Sequence, residues 1–279
     1  MRRKWVVIAG LLGVAMLLAL VGCIPTNEQT RVITGSFDVT GLVDLDIVSS
    51  NGSITVRGVE GQTTVEVTAT LHSTGSTLGE ALSRVAQIQV EMIHDGDHIV
   101  LAYRSNEHPL NVRMWSGVDF EVTVPVSADV DAQTSNGEIH VTEVDGLFVL
   151  DTSNGAIEVA DAVGELDAST SNGRIEVDRF QGILEADTSN NRIVLENIEG
   201  VVDAETSNGR ISFSGMLVAG VNHRMVTSNG RIDLAIRSDA SLNIEAHTSN
   251  SSIVSTFFSW ATPTARSGAR RSIPRPVGR

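Results

Sequence analysis

TSNGEIHVTEVDGLFVLD (134–151) is followed without a gap by TSNGAIEVADAVGELDAS (152–169), TSNGRIEVDRFQGILEAD (170–187) and TSNNRIVLENIEGVVDAE (188–205). Two longer copies, 206–226 and 227–247, and a further start at Thr248 extend the series. Thr-Ser-Asn therefore recurs at Thr134, Thr152, Thr170, Thr188, Thr206, Thr227 and Thr248, in steps of 18 and then 21 residues. A fixed period of this length marks a stacked repeat architecture, in which each unit packs only on its neighbours.

Counting each unit from its Thr, position 6 is always Ile: Ile139, Ile157, Ile175, Ile193, Ile211, Ile232 and Ile253. Position 8 is apolar from Val141 to Leu234 and lapses at Ser255. Positions 15 and 17 are apolar too, as in Phe148 and Leu150 or Leu184 and Ala186. The residues between them are mostly polar. Alternation of this kind is the period-2 signature of strands with one buried face. Asn-Gly at positions 3 and 4, and glycine at position 13, fall between the strands, where positive φ is cheap for those residues. Each unit reads as strand, corner, strand, corner.

Hairpins built on Asn-Gly turns leave the constant phase of Ile unexplained, whereas stacked coils require it. The chain is accordingly read as all-β, a single-stranded β-helix of about 18–21 residues per coil. With coils about 4.8 Å apart, Asn136, Asn154, Asn172, Asn190, Asn208, Asn229 and Asn250 form one corner column and should ladder through their amides. That column is structural, so its Ser and Asn side chains are not read as catalytic.

Ahead of the regular units, Ser49-Ser50-Asn51-Gly52-Ser53-Ile54 has the same shape as a repeat start, and residues 35–72 alternate polar and apolar in the manner of irregular first coils. TLGEALSRVAQI (77–88) carries Leu78, Leu82 and Val85, with Ala81 and Ile88 a turn away, and reads as a short amphipathic helix capping an open sheet edge. A hairpin, IQVEMI–HDGD–HIVLAY, and a strand, VDFEVTVP, lead into the first full repeat. With SNGSITVRG near the start, FEVTVP ahead of the repeats and serial TSNG-x-I-x-V units, the order resembles the bacterial putative-adhesin family of β-solenoid envelope proteins over roughly residues 35–255. The resemblance implies a β-helix on the cell surface or in the periplasm, and brings no catalytic residues with it.

The first 23 residues, MRRKWVVIAGLLGVAMLLALVGC, place Arg2, Arg3 and Lys4 before an apolar run that ends at Gly22-Cys23. This is the layout of a secretory signal, and Leu20-Val21-Gly22-Cys23 resembles the lipobox of bacterial lipoproteins. The resemblance implies cleavage after Gly22, a diacylglycerol thioether on Cys23, and acylation of its new amine. An uncleaved membrane anchor is the alternative, since about 20 apolar residues can span a bilayer. Both place the remainder outside the cytoplasmic membrane, in the bacterial cell envelope. Cys23 is the one cysteine, so no intramolecular disulfide can form. The organisation expected is a leader 1–22, lipidated cysteine and tether 23–34, irregular coils with helix and hairpin 35–133, regular solenoid 134–258, and tail 259–279.

The whole chain carries a formal net charge of −14, and loss of the leader removes three basic residues and no acid. Such a field repels nucleic acid and anionic headgroups. The partners expected are the membrane, through the lipid, and a glycan or another envelope protein. The tail runs against the trend: ATPTARSGARRSIPRPVGR (261–279) has Arg266, Arg270, Arg271, Arg275 and Arg279 and no acid. A shifted reading frame in a GC-rich gene gives this composition, and so does a natural disordered basic tail.

Three groups of residues could carry chemistry. His94-Asp95-Gly96-Asp97-His98 has metal-ligating types, but Asp-Gly is foremost a turn signal, and no metal or other cofactor is expected. Position 5 is Arg174, Arg192, Arg210 and Arg231 in four consecutive units, the candidate ligand-binding strip. Guanidinium forks suit sulfate, phosphate or uronate groups, while Glu176, on the same strand face as Arg174, offers local pairing instead. Carboxylates recur at position 16 (Asp167, Glu185, Asp203) and position 18 (Asp151, Asp187, Glu205). A polysaccharide-cleaving β-helix would need acids or metal converging in a groove, whereas these form ladders. The functional expectation is a non-catalytic, adhesin-like binding or scaffolding domain, with an envelope sensor as the alternative.

Overall fold

The computed structural model describes residues 27–104, 116–237 and 242–258. The leader 1–22, Cys23 and the tail 259–279 lie outside the described residues. The N-terminal part comprises β1 (Asn27–Asp38), β2 (Val43–Val48), β3 (Ile54–Val59), β4 (Thr64–Gly75), α1 (Leu78–Gln87), β5 (Gln89–Asp95), β6 (His98–Arg104) and β7 (Ser116–Pro125). The repeats supply β8 (Ala128–Thr134), β9 (Ile139–Thr142), β10 (Asp145–Thr152), β11 (Ile157–Thr170), β12 (Ile175–Thr188) and β13 (Ile193–Thr206). They continue with β14 (Ile211–Leu217), β15 (Asn222–Thr227), β16 (Ile232–Arg237), β17 (Asn243–Thr248) and β18 (Ile253–Phe258).

The repeats form a parallel β-solenoid in which equal repeat positions lie opposite one another. Ile175 pairs with Ile157 below and Ile193 above, and Ala186 with Ala168 and Ala204. The register follows from the pattern, because a slip of one residue would turn every aliphatic side chain outward. In the four 18-residue units, the Thr at position 1 and the apolar side chains at positions 6, 8, 11, 15 and 17 are buried, with Phe148 and Phe180 among the largest. Each fully buried Ile stabilises the fold by roughly 1.5–3 kcal/mol.

Two glycine columns set how tightly the coils stack. A Cβ on Gly173, at position 4, would lie 1.6 Å from the carbonyl oxygen of Gly155, and one on Gly182, at position 13, 1.8 Å from that of Gly164. The expectation of positive φ holds at position 13 for Gly164 and Gly182, with φ of 142° and 144°, but not at position 4. There the backbone of the next coil simply leaves no room for a side chain. The left-handed residues of the second corner sit instead at position 10, where Glu143, Asp161, Arg179 and Asn197 have φ between 53° and 59°.

The N-terminal part is interleaved. β2, the SSNG corner and β3 form a full coil lying directly below the first repeat, β2 pairing with β8 and β3 with β9. Its other side is covered by β6 and β7, which come later in the chain. That end is closed by antiparallel strands: β5 on β6, β4 on β7 and β1 on β4. Two sequence expectations need correction. Residues 27–34 are not a tether; they are the first part of β1, held by the edge of β4 from Asn27 opposite Gly75 to Asp38 opposite Thr64. The helix forms, capped by Thr77, whose hydroxyl accepts from the Glu80 amide. It buries Ala81 and Val85 rather than Leu78 and Leu82, which are about half exposed. The small Ala81 lets the helix settle closely against β4 and β1.

Candidate functional site

The Asn corner is a continuous ladder. Each amide nitrogen donates to the Oδ1 one coil below, from Asn250 to Asn229, Asn208, Asn190, Asn172, Asn154, Asn136 and finally Asn51. Beneath it, each buried Thr hydroxyl donates to the position-4 carbonyl of the coil below, as Thr170 does to Gly155 and Thr188 to Gly173. The corner is thereby consumed in holding the stack. Functional capacity must lie on the two outward sheet faces that this corner joins.

On the face after the corner, positions 5 and 7 flank the buried Ile. The structure brings Arg174, Arg192, Arg210 and Arg231 into one column, with Glu158, Glu176 and Asp233 beside them. Arg174 lies between two acids, bonding Glu158 and approaching Glu176 at 3.1 Å. Arg192 reaches the same Glu176 at 2.8 Å, and Arg231 holds Asp233 at 2.6 Å. Among the described residues, Arg210 has only Asp233 as an ion-pair partner, at 3.6 Å. The hydrogen bond from Arg192, and then that from Arg174, hold the Glu176 carboxyl below its usual range against partial burial. Arg174 is raised: partial burial opposes its charge, and the two acids outweigh that. The strip is thus closely paired at Arg174, Arg192 and Arg231, and Arg210 is its loosely compensated member. Position 7 is Val194 and Ser212 in the coils of Arg192 and Arg210, whose side chains are 54% and 57% exposed.

A hollow of about 210 Å³ lies on this face, lined in part by Glu196, Ser212, Ser214, Asp233 and Thr256. Ser212, which lines this hollow, is two residues along the chain from Arg210, on the same outward face.

The opposite face is acidic. The expected columns at positions 16 and 18 form; below Val149, Asp131 and Asp46 continue position 16, and Asp129 and Asp44 lie beside them at position 14, because β2 and β8 share their register. Counting backwards from Ser49 and Thr134 assigns those four aspartates to positions 14 and 16, a signal that the sequence held. Burial, then the charges of Asp46, Asp44 and Asp151, push the Asp131 carboxyl upward. Asp187 is raised likewise by burial and Glu205, with Arg224 opposing. Arg224, bound to Glu205 at 2.6 Å and Asp203 at 3.2 Å, relieves the upper end.

The residues 94–98 make a hairpin turn, with Gly96 at φ 70°. Their side chains diverge: His94 contacts the Asp38 carbonyl, His98 contacts Asp44, and Asp97 accepts from the Thr40 amide. Among the described residues, no group of three or more His, Cys, Asp or Glu side chains is placed to hold a metal ion. The described hydroxyl, imidazole and carboxylate that do meet are Ser53, His72 and Asp119. Both Ser53 and His72 bind the aspartate, at 3.1 Å and 2.6 Å. The carboxylate sits between the other two, whereas nucleophile activation needs the imidazole in the middle.

Fold and faces together define a parallel β-solenoid with one acidic face and one carrying an arginine–carboxylate zipper. No protein-family model and no curated protein matches the chain. Among solved structures it is similar to a putative cell adhesion protein of Clostridium sporogenes, at 9% identity and a TM-score of 0.34, covering 82% of this chain and 100% of that one. It is also similar to a putative adhesin of Parabacteroides distasonis, at 12% identity and a TM-score of 0.40, covering 82% and 96%. A putative adhesin of Bacteroides fragilis matches at 14% identity and a TM-score of 0.37, covering 81% and 97%. The functional reading therefore rests on this chain's own residues.

Proposed function

We propose that the chain is a lipid-anchored protein of the bacterial cell envelope, whose β-solenoid binds or scaffolds without catalysing a reaction. The anchor is Cys23, at the end of the basic–apolar–Gly-Cys leader. Several acyl chains on that residue give near-permanent attachment, where one alone holds weakly. Among the described residues, no helix is long and apolar enough to cross a membrane.

The observation that carries the binding reading is the continuity of the outward columns. Equal positions stack from β9 and β10 upward, so a flat, rigid face repeats similar contacts about every 4.8 Å. Such a face suits an extended polymer better than a small enclosed substrate. The second reading, an envelope sensor that binds another protein, is favoured by the acidic columns, which suit a basic partner surface.

Two experiments test this. Cells fed an alkyne fatty acid should label the wild type and not Cys23→Ala; equal labelling removes the anchor. The full lipoprotein in detergent micelles, screened on a glycan array, should bind extended polymers without shortening them. Measured turnover of a polysaccharide overturns the non-catalytic reading.

A further inference from the structure

We infer that the acid-poor middle of the arginine–carboxylate zipper, at Arg192 and Arg210, is an anion-binding subsite for an acidic sugar of a polysaccharide. This rests on the proposed binding role and gives it a location. In the coils of Arg174 and Arg231 the neighbouring position 7 is an acid, Glu176 or Asp233, and each arginine lies within 3.1 Å of it. In the two coils between, that position is Val194 and Ser212. Two guanidinium groups one coil apart are left with Glu176 at 2.8 Å from one and Asp233 at 3.6 Å from the other. Adjacent like charges repel, and an anion placed between them removes that repulsion while accepting from both forks.

The hollow beside them decides the chemistry. Ser212, one of the two non-acidic residues at position 7, lines this depression together with the polar residues Ser214, Thr256, Asp233 and Glu196. Those groups donate to and accept from sugar hydroxyls, and the guanidinium pair takes the negative group of the same sugar. The chain as a whole is net negative, so attraction is confined to short range, within about 8 Å at physiological salt. An acidic glycan laid along the stack would therefore register its charged unit at this pair. A carboxylate and a sulfate ester share the chemistry that the forks recognise.

The test uses the full lipoprotein in detergent micelles, with polygalacturonate as carboxylate probe, dextran sulfate as sulfate probe and dextran as neutral control. Arg192→Ser with Arg210→Ser should weaken binding of the acidic probe about tenfold or more. Arg174→Ser with Arg231→Ser should weaken it less than about threefold. Ser212→Glu keeps all four arginines and completes the zipper with the residue that the coils below carry at Glu158 and Glu176. It should fold normally and lose binding like the first pair. Whichever acidic probe binds more tightly identifies the group taken. Equal losses in the two arginine pairs, or full binding by Ser212→Glu, overturn the subsite. Equal binding of dextran and the acidic probes removes the subsite and keeps a polymer-binding face, while binding of none of the three removes both.

Discussion

The side-chain amide of Asn172 donates to Asn154 Oδ1 at 2.8 Å, while its own Oδ1 accepts from Asn190 at 2.9 Å. Each Asn in mid-ladder thus ties the coil below to the coil above. Asn172→Ala removes both bonds. A net hydrogen bond is worth about 0.5–1.5 kcal/mol, and this corner faces water, so the loss should be about 1–2 kcal/mol. For a domain of this size that lowers Tm by about 2–8 °C. Asn172→Asp should cost more, because it sets a carboxylate against Asn154 Oδ1. An unchanged melting temperature in both variants would make the ladder a consequence of stacking and not a support of it.

The position-6 column grades from core to edge. Ile175 is fully buried between two coils, while Ile253 in the last described coil is 41% exposed. A buried carboxylate without a partner costs several kcal/mol. Ile175→Asp should therefore abolish soluble, folded protein, whereas Ile253→Asp should fold with a modest loss of Tm. Hydrogen exchange should likewise be fastest in β17 and β18. Equal tolerance of the two substitutions would refute the assigned facing.

Two glycines separate space from conformation. A Cβ on Gly173 meets the Gly155 carbonyl at 1.6 Å, while one on Gly79 in α1 meets nothing within 4 Å. Gly173→Ala should force two coils apart and destabilise by several kcal/mol, in the range of severe overpacking. Gly79→Ala should stabilise by up to about 1 kcal/mol through helix propensity. Chemical denaturation measures both, and a neutral Gly173→Ala would mean the coils are less closely stacked.

The solenoid was legible because one period fixed everything it touched. Ile at position 6, the aliphatics at 8, 15 and 17 and the Asn column all share a phase, and parallel stacking is the arrangement that satisfies them together. The interleaved coil was not legible. Thr134 bonds the Gly52 carbonyl and Asn136 bonds Asn51 across more than 80 residues, and that separation is unrelated to the repeat length. Periodicity cannot announce such a contact; only the kinship of SSNGSI with TSNGEI pointed to it. In α1, helical spacing grouped Val85 with Leu78 and Leu82, which stay exposed; several helix faces carry apolar residues, and close approach to β4 selected the one with Ala81 and Val85. The arginine column was visible, yet which arginines are compensated depends on side chains reaching between coils. Glu176 serves Arg174 and Arg192 at once, and no count along one strand reveals that.

His72 and Asp119 give the fold a pH dependence whose sign can be worked out. The hydrogen bond to Asp119 raises the His72 pKa above 6.5, opposed by burial and helped by the charges of Asp119 and Glu28. Burial pushes the Asp119 carboxyl upward, but the hydrogen bonds from His72 and from the Ser53 amide outweigh it and leave the pKa below 3.8. A histidine that binds its proton more tightly when folded stabilises fully below its unfolded pKa, and the contribution is lost as pH rises through the folded value. For the aspartate the contribution is present above its unfolded pKa and lost as pH falls through the lowered folded value. The pair therefore stabilises most between those limits, and its alkaline loss begins above 6.5. Comparing thermal unfolding of wild type and His72→Gln should show the widest Tm gap at about pH 5–6, narrowing above neutrality as the wild-type imidazole loses its proton. A gap of constant size from mildly acidic to alkaline pH would mean that His72 acts there by packing alone, without its charge.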